Sequence, residues 1–255
     1  MSLARTADRH ELYEIAVQQP VLMVGFIEHL FAEMVGREPR VLREDFCGTA
    51  NLASVFVRSG VRRRAVAVDL DRKIIRYAER HNRLPLGPAA SRLKLIAADV
   101  RRCAARADAI VSLNFSHFIY KTRGDLLAYF KHARRCLNPR GLLILDAYGG
   151  PDSYKVGTDK RRFGDFQYLW EQMDFDPITA EVINAIHFKF RDGSRLRDAF
   201  VYHWRLWTLA ELREALLEAG FKSVRICFET ERGFDEKANP IEDDAWVAYL
   251  VAQRD

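Results

Sequence analysis

Apolar residues recur at helical spacing over residues 11–35, first Leu12, Ile15 and Ala16, then Met23, Phe26, Ile27, Leu30, Phe31 and Met34. Pro20 divides this stretch into two predicted helices, and Gly36 followed by Pro39 closes the second, because glycine past the end and proline beyond it both stop a helix. The pattern then changes to short apolar runs: Val41-Leu42, Ala65-Val66-Ala67-Val68, residues 93–98, residues 109–113 and Leu142-Leu143-Ile144-Leu145. Uniformly apolar runs of this length suit strands buried on both faces. Helical stretches separate them: residues 51–59, the segment with Ile74, Ile75 and Ala78 that Asp71 is placed to cap, and the stripe Leu126, Leu127, Phe130, Ala133 and Leu137. Strand, helix and strand repeated in this way predict an α/β fold, since each parallel crossover needs a helix to return the chain.

Beyond Gly149-Gly150 the pattern becomes alternation, over residues 166–175, 181–190 and 197–206, with an Asp192-Gly193-Ser194 turn between the last two. These predict an antiparallel insertion with a hairpin at Gly193. A capped helix should follow, with Thr208 at its start, Glu211 three residues on and Gly220 past its end, and then strands at 224–228 and 246–251.

Composition narrows the class. With 49% hydrophobic and 29% charged residues, 255 residues suffice for one large globular domain and disorder does not dominate. The formal charge of +5 arises from 40 basic and 35 acidic residues, and the arginine clusters are scattered, so nucleic-acid binding is allowed but not favoured. Cys47, Cys103, Cys136 and Cys227 lie far apart without a Cys-x-x-Cys pair, which argues against a metal site and for reduced thiols. No apolar run reaches the length of a membrane span and the amino terminus lacks a signal-peptide core, so the expected location is the cytoplasm, with no membrane partner.

Chemistry concentrates at strand ends. Glu44, Asp69, Asp99, Asn114 and Asp146 all close predicted strands, and ligands of parallel sheets sit at those carboxyl ends. The turn Glu44-Asp45-Phe46-Cys47-Gly48-Thr49-Ala50 leads into a helix, where a glycine allows close approach and free N–H groups await a partner. Two carboxylates at its mouth would repel phosphate, which favours a cationic or hydroxyl-rich ligand.

These residues resemble the class I S-adenosylmethionine-dependent methyltransferases, from about Val41 to the carboxyl terminus. The 44–50 turn is similar to that family's acid-x-Gly-x-Gly-x-Gly loop, Val-Asp-Leu-Asp at 68–71 to its second motif and Ala-Asp-Val at 98–100 to its third. Leu137-Asn138-Pro139-Arg140-Gly141 resembles its Leu-Lys-Pro-Gly-Gly turn. Phe46 and Ala50 stand where the family usually has its outer glycines, so that Gly48 alone keeps a permissive residue.

The resemblance implies a Rossmann-like, mostly parallel seven-stranded sheet with helices on both faces. It also implies one methyltransferase domain made of a helical cap (1–40), a cofactor-binding core (41–150), an antiparallel substrate lid (151–206) and a closing helix and strands (207–255). S-adenosyl-L-methionine would be the cofactor, with Glu44 facing the methionyl end, Phe46, Gly48 and Ala50 in the loop, Asp69 on the ribose, and Asp99 on the adenine between Leu70 and Val100. Asn114 would complete that site. His117, past strand four, is the candidate base, and Tyr13 resembles the amino-terminal aromatic that closes over the cofactor in small-molecule members. The expected partner is a small-molecule acceptor with an N or O nucleophile, and the expected state is a monomer or homodimer. An RNA methyltransferase, a nicotinamide oxidoreductase and a non-catalytic S-adenosyl-ligand binder remain as alternatives.

Overall fold

The computed structural model describes residues 2–230, 233–236 and 243–255. Its centre is an eight-stranded sheet in the order β11-β10-β12-β5-β4-β1-β2-β3. The strands are β1 (Val41–Asp45), β2 (Arg64–Asp69), β3 (Leu93–Ala97), β4 (Ala107–Ser112), β5 (Leu137–Gly149), β10 (Ser223–Thr230), β11 (Gly233–Asp235) and β12 (Trp246–Gln253). The first five run parallel to one another, and β12 lies antiparallel between β5 and β10. This is the Rossmann-like sheet expected from the apolar runs, extended by the three-residue β11 at its edge, which is too short to leave a sequence pattern.

Side-chain alternation assigns the two faces. Leu42, Ala67, Val111, Ile144 and Val251 pack against α3 (Pro20–Met34) and α4 (Asn51–Arg58). Ile110, Leu143, Leu145 and Leu250 pack against α6 (Arg123–Cys136) and α7 (Leu209–Glu218). Local chemistry sets the helix ends. Asp71 accepts from the Lys73 N–H at the start of α5 (Arg72–Ala78), and Thr208 and Glu211 form a reciprocal capping box on α7. The helix expected from the stripe through Leu137 ends one residue earlier, because α6 stops at Cys136 and Leu137 already belongs to β5. Gly141 is required there: a Cβ would lie 2.7 Å from the Asp108 carbonyl oxygen.

The insertion after β5 is a second, four-stranded antiparallel sheet of β6 (Gly157–Phe163), β7 (Phe166–Phe175), β8 (Glu181–Phe190) and β9 (Arg195–Arg205). Alternation revealed β7 to β9 but not β6. That strand is an exposed edge carrying Asp159, Lys160, Arg161 and Arg162, and its charges discourage further strand pairing while erasing the apolar pattern. Two amino-terminal helices, α1 (Leu3–Thr6) and α2 (Arg9–Val17), dock on this sheet, Leu12 and Ala16 joining Tyr168, Ile186 and Phe188 in a separate core. No single helix among the described residues is long and apolar enough to cross a membrane; α2 and α3 pass only as a pair bent by 48°.

Candidate active site

The carboxyl ends of β1, β4 and β5 open into a cavity of about 660 Å³. Its floor holds Glu44, Leu113, Asn114, Phe115 and Asp146, and its far wall is Tyr168, Trp170, Tyr202 and Trp204 of the inserted sheet. Tyr13 and the α2–α3 junction at Gln18, Gln19 and Pro20 close one side. Polar clasps tie this junction to the core: Asn51 Nδ2 donates to Gln18 at 3.0 Å and Asn82 Nδ2 to Glu14 at 2.8 Å.

Strand β1 sends its two carboxylates to opposite faces. Asp45 turns away from the cavity and forms a buried ion pair with Arg43 (Nε to Oδ1, 2.6 Å), and the Tyr129 hydroxyl donates to it at 3.1 Å. Arg43 spends its remaining donors on the carbonyls of Cys103 and Val100, each at 2.7 Å, so this network is satisfied. The expectation of two carboxylates at the mouth of the turn is therefore corrected: Glu44 alone faces the cavity. Its Oε2 accepts from the Ala53 N–H at 2.9 Å, yet no ion-pair partner is found for it among the described residues. Burial pushes its carboxyl up to about 8, and the nearby Asp69, Glu14 and Asp45 add repulsion.

The turn after β1 holds three left-handed residues, Phe46 (φ 57°), Gly48 (φ 51°) and Ala50 (φ 57°). Phe46 and Ala50 thus take up the conformation that favours glycine. That conformation costs roughly 1–2 kcal/mol at each non-glycine position, and at Phe46 the ring anchors by packing edge-on to Tyr129 and Tyr120. Asp69 Oδ2 accepts from the Gly48 N–H at 3.0 Å and Oδ1 from the Asp71 N–H at 2.9 Å, tying the end of β2 to the turn. Burial raises its pKa.

The other expected site residues are spread more widely. Asp69, Leu70, Asp99 and Val100 lie on the rim of β2 and β3 and do not line the cavity, and neither do Phe46, Gly48 and Ala50. Leu70 is 73% exposed and Val100 is buried. Asp99 caps a short helical turn through the Arg101 N–H and holds the Arg101 guanidinium at 2.9 Å, whose hydrogen bond pulls the carboxyl pKa down. Asn114 does line the cavity, in a left-handed conformation shared with Phe115.

The candidate base is corrected. His117 is fully buried, outside the cavity lining, and neither ring nitrogen has a hydrogen-bond partner among the described residues. Burial lowers its pKa to about 3, so it stays neutral. Its ring packs against Phe118 at 5.0 Å and Phe130 at 6.4 Å. Tyr13 lines the cavity, but its hydroxyl is engaged with Tyr202, and burial with that contact raises its pKa well above the ordinary value.

Asp146 was legible as a strand-end acid without an assigned role. It is 5% exposed, lines the cavity, and accepts from the Asn114 N–H at 2.7 Å and the Phe115 N–H at 2.8 Å. An acid following four apolar residues of a buried strand was the available signal. Burial pushes its carboxyl up to about 7 against those two donors, with Glu229 adding repulsion.

Residues 46–141 match the family model of a methyltransferase domain. That span is a methyltransferase domain by its sequence. The matched span begins at the left-handed turn and ends at Gly141, so it includes Gly48, Asp69, Asp99 and Asn114 but neither Tyr13 nor Asp146 nor the inserted sheet. By fold, this chain is similar to a S-adenosylmethionine-dependent methyltransferase from Clostridium acetobutylicum (TM-score 0.73, 18% identity, 96% of this chain and 97% of that one). It is also similar to DesVI of Streptomyces venezuelae (0.71, 18%, 98% and 99%) and to the amino pentose methyltransferase CalS10 of Micromonospora echinaspora (0.68, 15%, 96% and 96%). No curated protein matches by sequence.

The residues present fit the cofactor of this domain. Among the described residues beyond its chain neighbours, no atom lies within 4 Å of where a Gly48 Cβ would stand, leaving open space at the turn, and Glu44 is a buried carboxylate with no ion-pair partner. Among the described residues, no group of histidine, cysteine and carboxylate side chains is placed to hold a metal.

Proposed function

We propose that this methyltransferase transfers the methyl group of S-adenosylmethionine to a small molecule enclosed between the end of the parallel sheet and the inserted antiparallel sheet. The cavity carries the reading: about 660 Å³ roofed by Trp170, Tyr202 and Trp204, a volume and lining typical of small-ligand sites. The cofactor would supply an activated methyl on a sulfonium. Glu44 would face the methionyl ammonium, the Gly48 backbone would lie along the methionyl chain, and Asp69 would accept from the ribose hydroxyls. Asp99, already shared with Arg101, would turn its remaining acceptor capacity to the adenine amino group. The protein's own work is then to align a nucleophile, exclude water and receive a proton. The inserted sheet and the Gln18–Pro20 junction exclude water, and the aromatic wall orients the acceptor.

Calorimetry with S-adenosylhomocysteine tests this. The expected result is saturable binding that Asp69→Ala weakens by roughly 1.5–3 kcal/mol through lost hydrogen bonds to a charged acceptor. Binding of a nicotinamide cofactor with no response to S-adenosylhomocysteine would overturn it. Tight RNA binding that weakens steeply with salt would replace the small acceptor with a polyanion.

A further inference from the structure

The cavity carries a charge pattern that selects among nucleophiles. Along its lining, carboxylates outnumber bases six to two among the described residues. Of the bases, Lys155 is paired to Asp152 at 2.8 Å and Arg161 lies over the Tyr168 ring at 5.5 Å. Glu44 and Asp146 have no ion-pair partner among the described residues.

These two acids lie on one face of the sheet. Glu44 is in register with Val111, and Val111 with Ile144, so Asp146, two residues beyond Ile144, points to the same side. Two strand spacings separate them laterally, roughly 10 Å. Glu44 therefore serves the end of the cavity beside the left-handed turn, whereas Asp146 serves the end beneath the aromatic wall. Tyr249, the register partner of Asp146, donates its hydroxyl to Glu229 at 3.1 Å, which brings a second carboxylate to that end.

The wall above Asp146 is a connected set of rings. Phe115 packs on Tyr148 at 4.8 Å and on Trp204 at 6.2 Å, Trp204 stacks on Tyr202 at 4.3 Å, and Trp170 meets Tyr148 at 6.3 Å. The Tyr148 hydroxyl accepts from Asn184 Nδ2 at 3.1 Å, which fixes its ring. Ring faces attract cations, and a buried carboxylate without a counter-ion does so more strongly. An alcohol would leave that charge uncompensated, and an anion would be repelled.

We infer that the acceptor is an amine on an apolar or ring-shaped body, seated against the Phe115–Tyr148–Trp204 wall with its nitrogen over the carboxylate of Asp146. This rests on the methyltransferase reading above and adds the substrate class. The amine arrives as an ammonium and gives one proton to Asp146. Its freed lone pair forms the new N–C bond as the S–C bond breaks with its electron pair left on sulfur, and the product leaves as a methylated ammonium. Asp146, poised at about 7, can take that proton and return it to solvent. Its two backbone contacts keep Asn114 and Phe115 in their left-handed conformations, so the counter-ion also sets the wall.

The test uses the full chain saturated with S-adenosylhomocysteine and three probes of one shape, 2-phenylethylamine, 2-phenylethanol and phenylacetate, at pH 8 by calorimetry. The amine is expected to bind at least about tenfold tighter than the alcohol, with no detectable binding of the carboxylate. Asp146→Asn should erase that preference while leaving S-adenosylhomocysteine affinity within about threefold, and Glu229→Gln, at an exposed position, should reduce it in part. Equal binding of amine and alcohol, preference for the carboxylate, or no amine binding at millimolar concentration while S-adenosylhomocysteine binds would overturn the inference alone. Failure of S-adenosylhomocysteine itself to bind would remove the methyltransferase reading and the inference with it. The wild-type comparison stands whether or not either variant folds.

Discussion

The two faces of β1 solve the problem of a buried carboxylate in opposite ways. On the α6 side, Asp45 has Arg43, the Tyr129 hydroxyl and no cavity; every donor and acceptor around it is used. On the α3 side, Glu44 has one backbone N–H, a cavity, and no cation among the described residues. The first arrangement is finished on folding. The second is finished only by a ligand, and a structural carboxylate is distinguished from a binding one by this difference and not by burial, which the two share.

Removing one partner of the closed pair should have the largest effect. Arg43→Met leaves Asp45 buried beside Tyr129 alone, and urea denaturation should show a loss of about 3–5 kcal/mol. A loss below about 1 kcal/mol would mean that the network adjusts, and the contrast would be gone.

The open face should behave in the reverse sense. Glu44→Gln removes a carboxylate that the empty protein holds at a cost, so stability should be unchanged or higher, while S-adenosylhomocysteine affinity falls by roughly 1.5–3 kcal/mol. Loss of stability together with affinity would make Glu44 structural.

In pH the contrast is one of degree, because burial raises both carboxyls: Asp45 to about 6, held down by Arg43, and Glu44 to about 8. Glu44 and Asp146 titrate near 8 and 7 in the folded chain against ordinary values of 4.5 and 3.8. The native state therefore holds protons that the unfolded chain has released, and stability falls as pH rises from about 4 to 8. His117 acts with the opposite sign: its folded value near 3 lies below 6.5, so its contribution is present above 6.5 and is lost as pH falls toward 3. The two windows overlap between about 4 and 6.5, where the raised carboxyls outweigh the one imidazole, so these groups place the maximum of thermal melts near about pH 4. Glu44→Gln should flatten the alkaline limb and His117→Leu the acid limb, with turnover in the latter retained within about threefold. A large loss of turnover would restore His117 to the chemistry.

Much of this was legible in the sequence. Apolar runs revealed the parallel sheet because strands buried on both faces have a uniform pattern, and alternation revealed β7 to β9 because they have one solvated face. Glu44 and Asp69 could be placed because the turn and strand end that hold them are local. The division between Glu44 and Asp45 could not, since it depends on Arg43 reaching carbonyls at Val100 and Cys103, far along the chain. The burial of His117 was hidden for the same reason: its position after β4 was visible, but its packing against Phe118 and Phe130 was not. Asp146 and the aromatic wall meet only across the inserted sheet.

A smaller effect should appear at the turn. Ala50→Gly relieves a left-handed alanine, and against the greater freedom of glycine when unfolded a net gain within about 1 kcal/mol is expected in melts. A clear destabilisation would show that the alanine methyl packs more than its backbone strains.

The most direct test of the open face is the proton released when it is filled. S-adenosylhomocysteine binding, measured by calorimetry at pH 7.5 in two buffers of different ionisation enthalpy, should release roughly half a proton or more as the methionyl ammonium draws Glu44 into its charged form, and Glu44→Gln should lose that release. Identical proton release in the two proteins would contradict the assignment of Glu44 as the carboxylate that awaits the cofactor.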